Sequence, residues 1–166
     1  GWSDALRIRR LVERGGSSKD CAIRLDLKTE RRGGVIRGMR VVLDTNVLVA
    51  ASRSRNGASH ALLSQLPDER FTPAVSVPLF LEYRAVLLRP ENLLGRPPAQ
   101  AEGFLDFLLS ASHLQEIFFT WRPMLPDPSD DMRLELAVAA GAKTIVTHNL
   151  RDFRGAEKWG VAALPP

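Results

Sequence analysis

Cysteine is almost missing from this 166-residue chain: Cys21 stands alone, so no internal disulfide can form. Long apolar runs are missing too. No stretch approaches the roughly 18 consecutive apolar residues that a membrane helix needs, and the opening GWSDALRIRR lacks the apolar core of a signal peptide. These absences exclude a disulfide-stapled scaffold and predict a protein of the reducing cytoplasm with no membrane partner. No His/Cys cluster has the spacing of a zinc site, no Gly-rich loop is placed to cradle phosphates, and no Ser-centred nucleophile elbow occurs. Internal repeats and low-complexity tracts are absent as well.

What remains is an ordinary globular composition, 45% hydrophobic and 25% charged, at a length that suits one domain. The formal net charge of +4 points toward nucleic acid, because Lys and Arg neutralise phosphates. Its distribution removes that inference. Residues 1–38 hold 10 Lys+Arg against 5 Asp+Glu, a net of +5, whereas residues 39–166 hold 13 against 14, a net of −1. Residues 1–38 read as a basic N-terminal arm, with a short helix at Asp4–Glu13 and Gly-rich breaks after it, or as a non-native extension ahead of a start at Met39. Nucleic-acid binding by residues 39–166 must therefore rest on individual site residues.

From Arg40 the chain reads VVLDTNVLVAAS, a buried parallel strand ending at Asp44 and a helical stretch from Val47 to Ala51. A helix around His60–Leu66 and a strand at Thr72–Val75 follow. Ser76-Val77-Pro78 predicts a capped helix start, and Pro97-Pro98 opens another helix with Phe104, Leu105, Leu108 and Leu109 at helical spacing. Leu114–Trp121 is a strand candidate, Pro123–Pro128 a turn-rich loop, Asp130–Ala140 a helix stopped by Gly141, and Thr144–Thr147 a strand. The alternation predicts a three-layer α/β domain with a central parallel sheet flanked by helices.

In such a sheet, ligands bind beyond the C-terminal strand ends. Asp44-Thr45-Asn46 follows the first strand there, His148-Asn149 follows Thr147, and Asp127, Asp130 and Asp131 crowd the head of the preceding helix. Glu82 interrupts an apolar helical run, where a charge needs a polar site to face. Carboxylates converging in one crevice repel one another unless a cation neutralises them, and hard oxygen ligands suit Mg²⁺ or Mn²⁺. A metal-activated water attacking a phosphodiester fits that donor set.

Three blocks together, VVLDTNVLVAAS, SVPLFLEYRAVLL and DPSDDMRLELAVAAGAKTIVTHNLRDF, resemble PIN domains, in particular the VapC-like toxin components of toxin–antitoxin pairs. The resemblance spans roughly residues 39–160. It implies Mg²⁺- or Mn²⁺-dependent endoribonuclease cleavage of RNA, a cognate antitoxin covering the cleft, and a homodimer. By position, Asp44, Glu82 and Asp130 match the family's metal-binding acids, with Asp131 one residue away as the alternative. The family's fourth acid, in a Thr-x-Asp stretch, is replaced here by Asn149 after Thr147 and His148. That departure weakens a second-metal site unless Asp152 restores the charge. Thr45, Asn46 and Thr147 are expected to hold carboxylates in place. His148 and Arg151 are candidates for substrate contact, with Arg154 a further basic residue nearby.

Plain structural readings stand beside these. Asp44 suits a turn, Asp130 and Asp131 suit a helix cap, and Glu82 suits an exposed position or an ion pair with Arg84 or Arg89. His60 and His113 read as surface or packing residues, and Phe118, Phe119 and Trp121 as core or interface. Loss of the fourth acid also leaves open a catalytically weak or inactive RNA- or partner-binding module. A haloacid-dehalogenase-like phosphatase is disfavoured, since that chemistry wants a second Asp where Asn46 stands.

Overall fold

A computed structural model of the chain describes residues 38–117, 125, 127 and 129–166. The arm's expected helix at Asp4–Glu13, the aromatics Phe118, Phe119 and Trp121, and most of the Pro123–Pro128 loop lie outside the described residues. Five short strands, β1 (Met39–Leu43), β2 (Phe71–Val75), β3 (His113–Leu114), β4 (Thr144–Val146) and β5 (Ala162–Leu164), form one sheet in the order β3-β2-β1-β4-β5. Every pairing is parallel. In β1 the consecutive residues Val41, Val42 and Leu43 are all buried, as a strand covered on both faces requires. Gly38 sets its entry: a Cβ there would lie 2.3 Å from the Glu69 carbonyl oxygen, so only glycine admits the approach.

Helices flank the sheet: α1 (Thr45–Arg53), α2 (Ala58–Leu63), α3 (Val77–Leu87), α4 (Pro90–Leu93), α5 (Pro98–Ser110) and α6 (Asp131–Ala140). In α3 the buried Leu79, Tyr83 and Leu87 recur every four residues, one stripe along the helix. Pro78 sits in its first turn as expected. Ser76 stands at the N-cap as expected, but its hydroxyl makes no capping bond and is buried with no hydrogen-bond partner among the described residues. α6 is buried nearly all round, through Asp131, Arg133, Leu134, Glu135, Leu136, Ala137 and Ala140, and Gly141 ends it in the left-handed region at φ 65°.

The chain passes from β1 outward to β2 and β3, then returns to lay β4 and β5 on the other side of β1. Right-handed crossovers on either side of such a reversal place helices on both faces, which gives the expected layers. The crevice at the reversal opens between the ends of β1 and β4, where Leu43 is level with Val146. Asp44 and Thr147 are the next residues on each strand. The sheet extends past the strand expected at Thr144–Thr147: a 3-10 turn at Ala156–Trp159 leads into β5, whose Leu164 carbonyl accepts the Thr147 N–H at 2.9 Å.

Candidate active site

Asp44 is fixed from both strands of the crevice. Its backbone N–H donates to Val146 O at 2.9 Å, continuing the ladder, and its side chain is 7% exposed. Oδ2 accepts from Thr147 Oγ1 at 2.7 Å and from Asn46 Nδ2 at 2.6 Å, which turns Oδ1 toward the crevice. Thr147 is itself held, accepting from Asn46 Nδ2 at 3.1 Å and from the Asn149 N–H at 2.9 Å. Thr45 Oγ1 donates to Glu82 Oε1, steering the α3 carboxylate to the same place. Asp44 and Asp130 stand at the N-caps of α1 and α6, yet neither makes a side-chain capping bond. Their carboxylates are committed to the crevice. Arg84 pairs with Glu102 on the surface, not with Glu82.

All three acids meet one cation, Arg133, which was not among the expected site residues. Its Nε lies 2.7 Å from Asp44 Oδ1, its Nη1 donates to Asp130 Oδ1 at 3.2 Å, and its Nη2 donates to Glu82 Oε1. The Nε–H is not aimed for a hydrogen bond, so the Asp44 contact is ionic rather than directed. Burial works against the Arg133 charge, but Asp44, Glu82 and Asp130 together hold it above its ordinary value. The donor chemistry fits a hard divalent cation: three carboxylates from three elements point at one place, and a positive group stands in it. Among the described residues, no three His, Cys, Asp or Glu side chains are placed to share an ion in this arrangement. The crevice opens into a cleft of about 720 Å³, whose walls include Asp127, Asp152, His148, Arg53 and Arg89.

The PIN domain family model matches residues 40–151, from β1 through all three acids to the segment after β4. The chain belongs to the PIN domain family. No curated protein matches it. Among solved structures it is similar to a chain of VapBC2 from Rickettsia felis bound to a DNA fragment from their promoter. That likeness has a TM-score of 0.54 at 18% identity, over 76% of this chain and 98% of the other, and bears on the fold alone.

Within this PIN domain the remaining predicted residues divide. Asn149 donates through Nδ2 to Asp152 Oδ2, so Asp152 is anchored beside the position where the resemblance expects a fourth acid. Asp131 turns away, and its Oδ1 accepts the Leu125 N–H at 2.8 Å. His148 shares a 2.7 Å hydrogen bond with Ser59 Oγ from α2, and its backbone N–H donates to Asn46 Oδ1 at 3.2 Å. Ser59 had no sequence signal. Arg151 is exposed outside the cleft lining, whereas Arg53 and Arg89, unremarked as substrate contacts, are in it. His60 and His113 bond locally to Ser64 and Gln115.

Burial pushes the Asp130 carboxyl up from its ordinary 3.8 to about 6; Arg133 opposes the shift, and Asp44, Asp152 and Asp127 add to it. A folded-state pKa above the unfolded one means a contribution to stability that is complete below pH 3.8 and lost as pH rises through about 6. The carbon resonance of the Asp130 carboxyl in the metal-free protein is expected to titrate near 6. A midpoint near 3.8 would show that the ionised form is well solvated in the fold.

Proposed function

We propose that this PIN domain is a Mg²⁺- or Mn²⁺-dependent endoribonuclease in which Asp44, Glu82 and Asp130 hold the metal. The observation that supports this most is the convergence of the three acids on one cation position at the reversal of strand order. A bound divalent cation supplies a polarised water for attack on the phosphodiester. The chain's own part is positioning. Thr147 and Asn46 fix Asp44, and Thr45 fixes Glu82, so the metal-facing oxygens are set before substrate arrives. Arg53 and Arg89 on the cleft wall offer guanidinium groups to RNA phosphates, and the Ser59-held ring of His148 faces the same cleft. The cellular setting is read from the resemblance of the three sequence blocks to VapC-like toxins: a toxin covered by a cognate antitoxin, itself forming a homodimer.

Asn149 at the fourth acid and Arg133 between the other three favour a second reading, a binding module with weak or no turnover. Incubation with a pool of structured and single-stranded RNA separates the two. Cleavage that appears with Mn²⁺ or Mg²⁺ and stops with chelator is expected. RNA binding without cleavage, and without stabilisation by either ion, would select the binding module.

A further inference from the structure

Arg133 comes from the third residue of α6, one turn past Asp130, and its side chain is 7% exposed. Three elements deliver an acid to it: the end of β1, the middle of α3 and the head of α6. Besides those acids it donates to Ser129 O at 3.1 Å and Thr45 Oγ1 at 3.2 Å. A buried guanidinium this fully surrounded has lost its water, so its position depends on the acids as much as theirs depends on it. The oxygens it uses, Asp44 Oδ1, Glu82 Oε1 and Asp130 Oδ1, are those aimed at the cation position. Magnesium needs oxygens at about 2.1 Å around a single centre, and a planar guanidinium lying between them prevents that approach.

We propose that Arg133 is a resident counter-ion that competes with the divalent metal: it neutralises the acids in the metal-free protein and must withdraw from them for metal to bind. This rests on reading the cleft as a metal site. On withdrawal the guanidinium would keep the Ser129 carbonyl it already reaches and turn toward Asp127. Asp127, an exposed acid of the cleft wall, and the Ser129 carbonyl both flank the head of the helix. Withdrawal keeps the guanidinium at the cleft, where it can meet an RNA phosphate in place of a carboxylate. Metal-binding sites are then available only in the fraction of molecules whose arginine has moved, and the apparent affinity for metal falls by that fraction. Arg133 is thus a positioning residue that sets how much free metal the site requires.

The test is Mn²⁺ binding to the full chain, followed by the electron paramagnetic resonance of free Mn²⁺, for wild type, Arg133→Gln and Arg133→Lys. Arg133→Gln is expected to bind at least about tenfold more tightly than wild type. Arg133→Lys falls between them, because a single ammonium cannot span three carboxylates. Should the glutamine variant not fold, the lysine variant and wild type still decide. In wild type, the Arg133 Nε–H resonance is expected to shift on Mg²⁺ titration in step with the amide of Asp44. Equal or weaker binding by the folded variants, or an Arg133 resonance unmoved while Asp44 reports metal, overturns the competition and leaves the metal site standing. Failure of every form to bind Mn²⁺ overturns both.

Discussion

Asp44→Asn should lower metal-dependent RNA cleavage by roughly 10²–10³-fold, since a lost charged ligand removes several kcal/mol of stabilisation where charge develops. The fold should survive. The amide has the shape of the carboxylate, and Thr147 and Asn46 can still bond to it by turning their donors and acceptors. Arg133 keeps Glu82 and Asp130, and removing one of three crowded acids relieves repulsion that offsets the lost ion pair. The cost in stability should therefore stay below the roughly 3–5 kcal/mol of a buried ion pair broken outright. Wild type and variant, purified identically, would be compared for cleavage in Mn²⁺ and for melting in chelator. Undiminished cleavage by the variant would assign the activity to a contaminant or to another site.

Leu134→Ala should do the reverse. Leu134 is fully buried on α6, between Arg133 and Glu135, in a helix with almost no exposed side. Truncation leaves a cavity that the surrounding sheet and helices cannot close, costing about 2–5 kcal/mol. Against a total of roughly 5–15 kcal/mol for a domain, that is a large share. The midpoint of urea unfolding should drop accordingly, while cleavage per folded molecule at low temperature stays close to wild type. An unchanged midpoint would mean that the packing around α6 repacks freely. The pair of variants separates damage to chemistry from damage to the fold.

Much of this was legible in the sequence because the relevant signals are local. VVLDTN announces a buried strand with a polar end, and β1 stops one residue before Asp44. DDMRLELAVAAG announces a helix with a glycine stop, and α6 ends at Ala140 with Gly141 as its cap. Glu82 drew notice because a charge in SVPLFLEYRAVLL needs a reason. β5 escaped because Ala162-Ala163-Leu164 has little strand propensity and is ordered by pairing with β4, which local sequence does not record. Ser76 looked like a cap by residue type, but capping depends on where the hydroxyl points. Arg133 escaped for a related reason: an arginine in a helix ordinarily marks the wet face, and α6 has almost none. One signal was present. Three clustered acids demand a counter-charge, and position 133, three residues past Asp130, lies on the same side of the helix.

The bond from Thr147 to Asp44 joins residues 103 apart along the chain, and Arg133 to Thr45 spans 88. During synthesis, therefore, the first part of the crevice leaves the ribosome long before the residues that complete it. A nascent chain that has made β1, α1 and α3 holds Asp44 and Glu82 but lacks Arg133, β4 and Thr147 to assemble them. Long-range pairing of this kind forms late in folding because the intervening loop must first be closed. Whatever chemistry the cleft performs cannot start on a fragment: the order of the strands along the chain delays activity until translation of the domain is nearly finished.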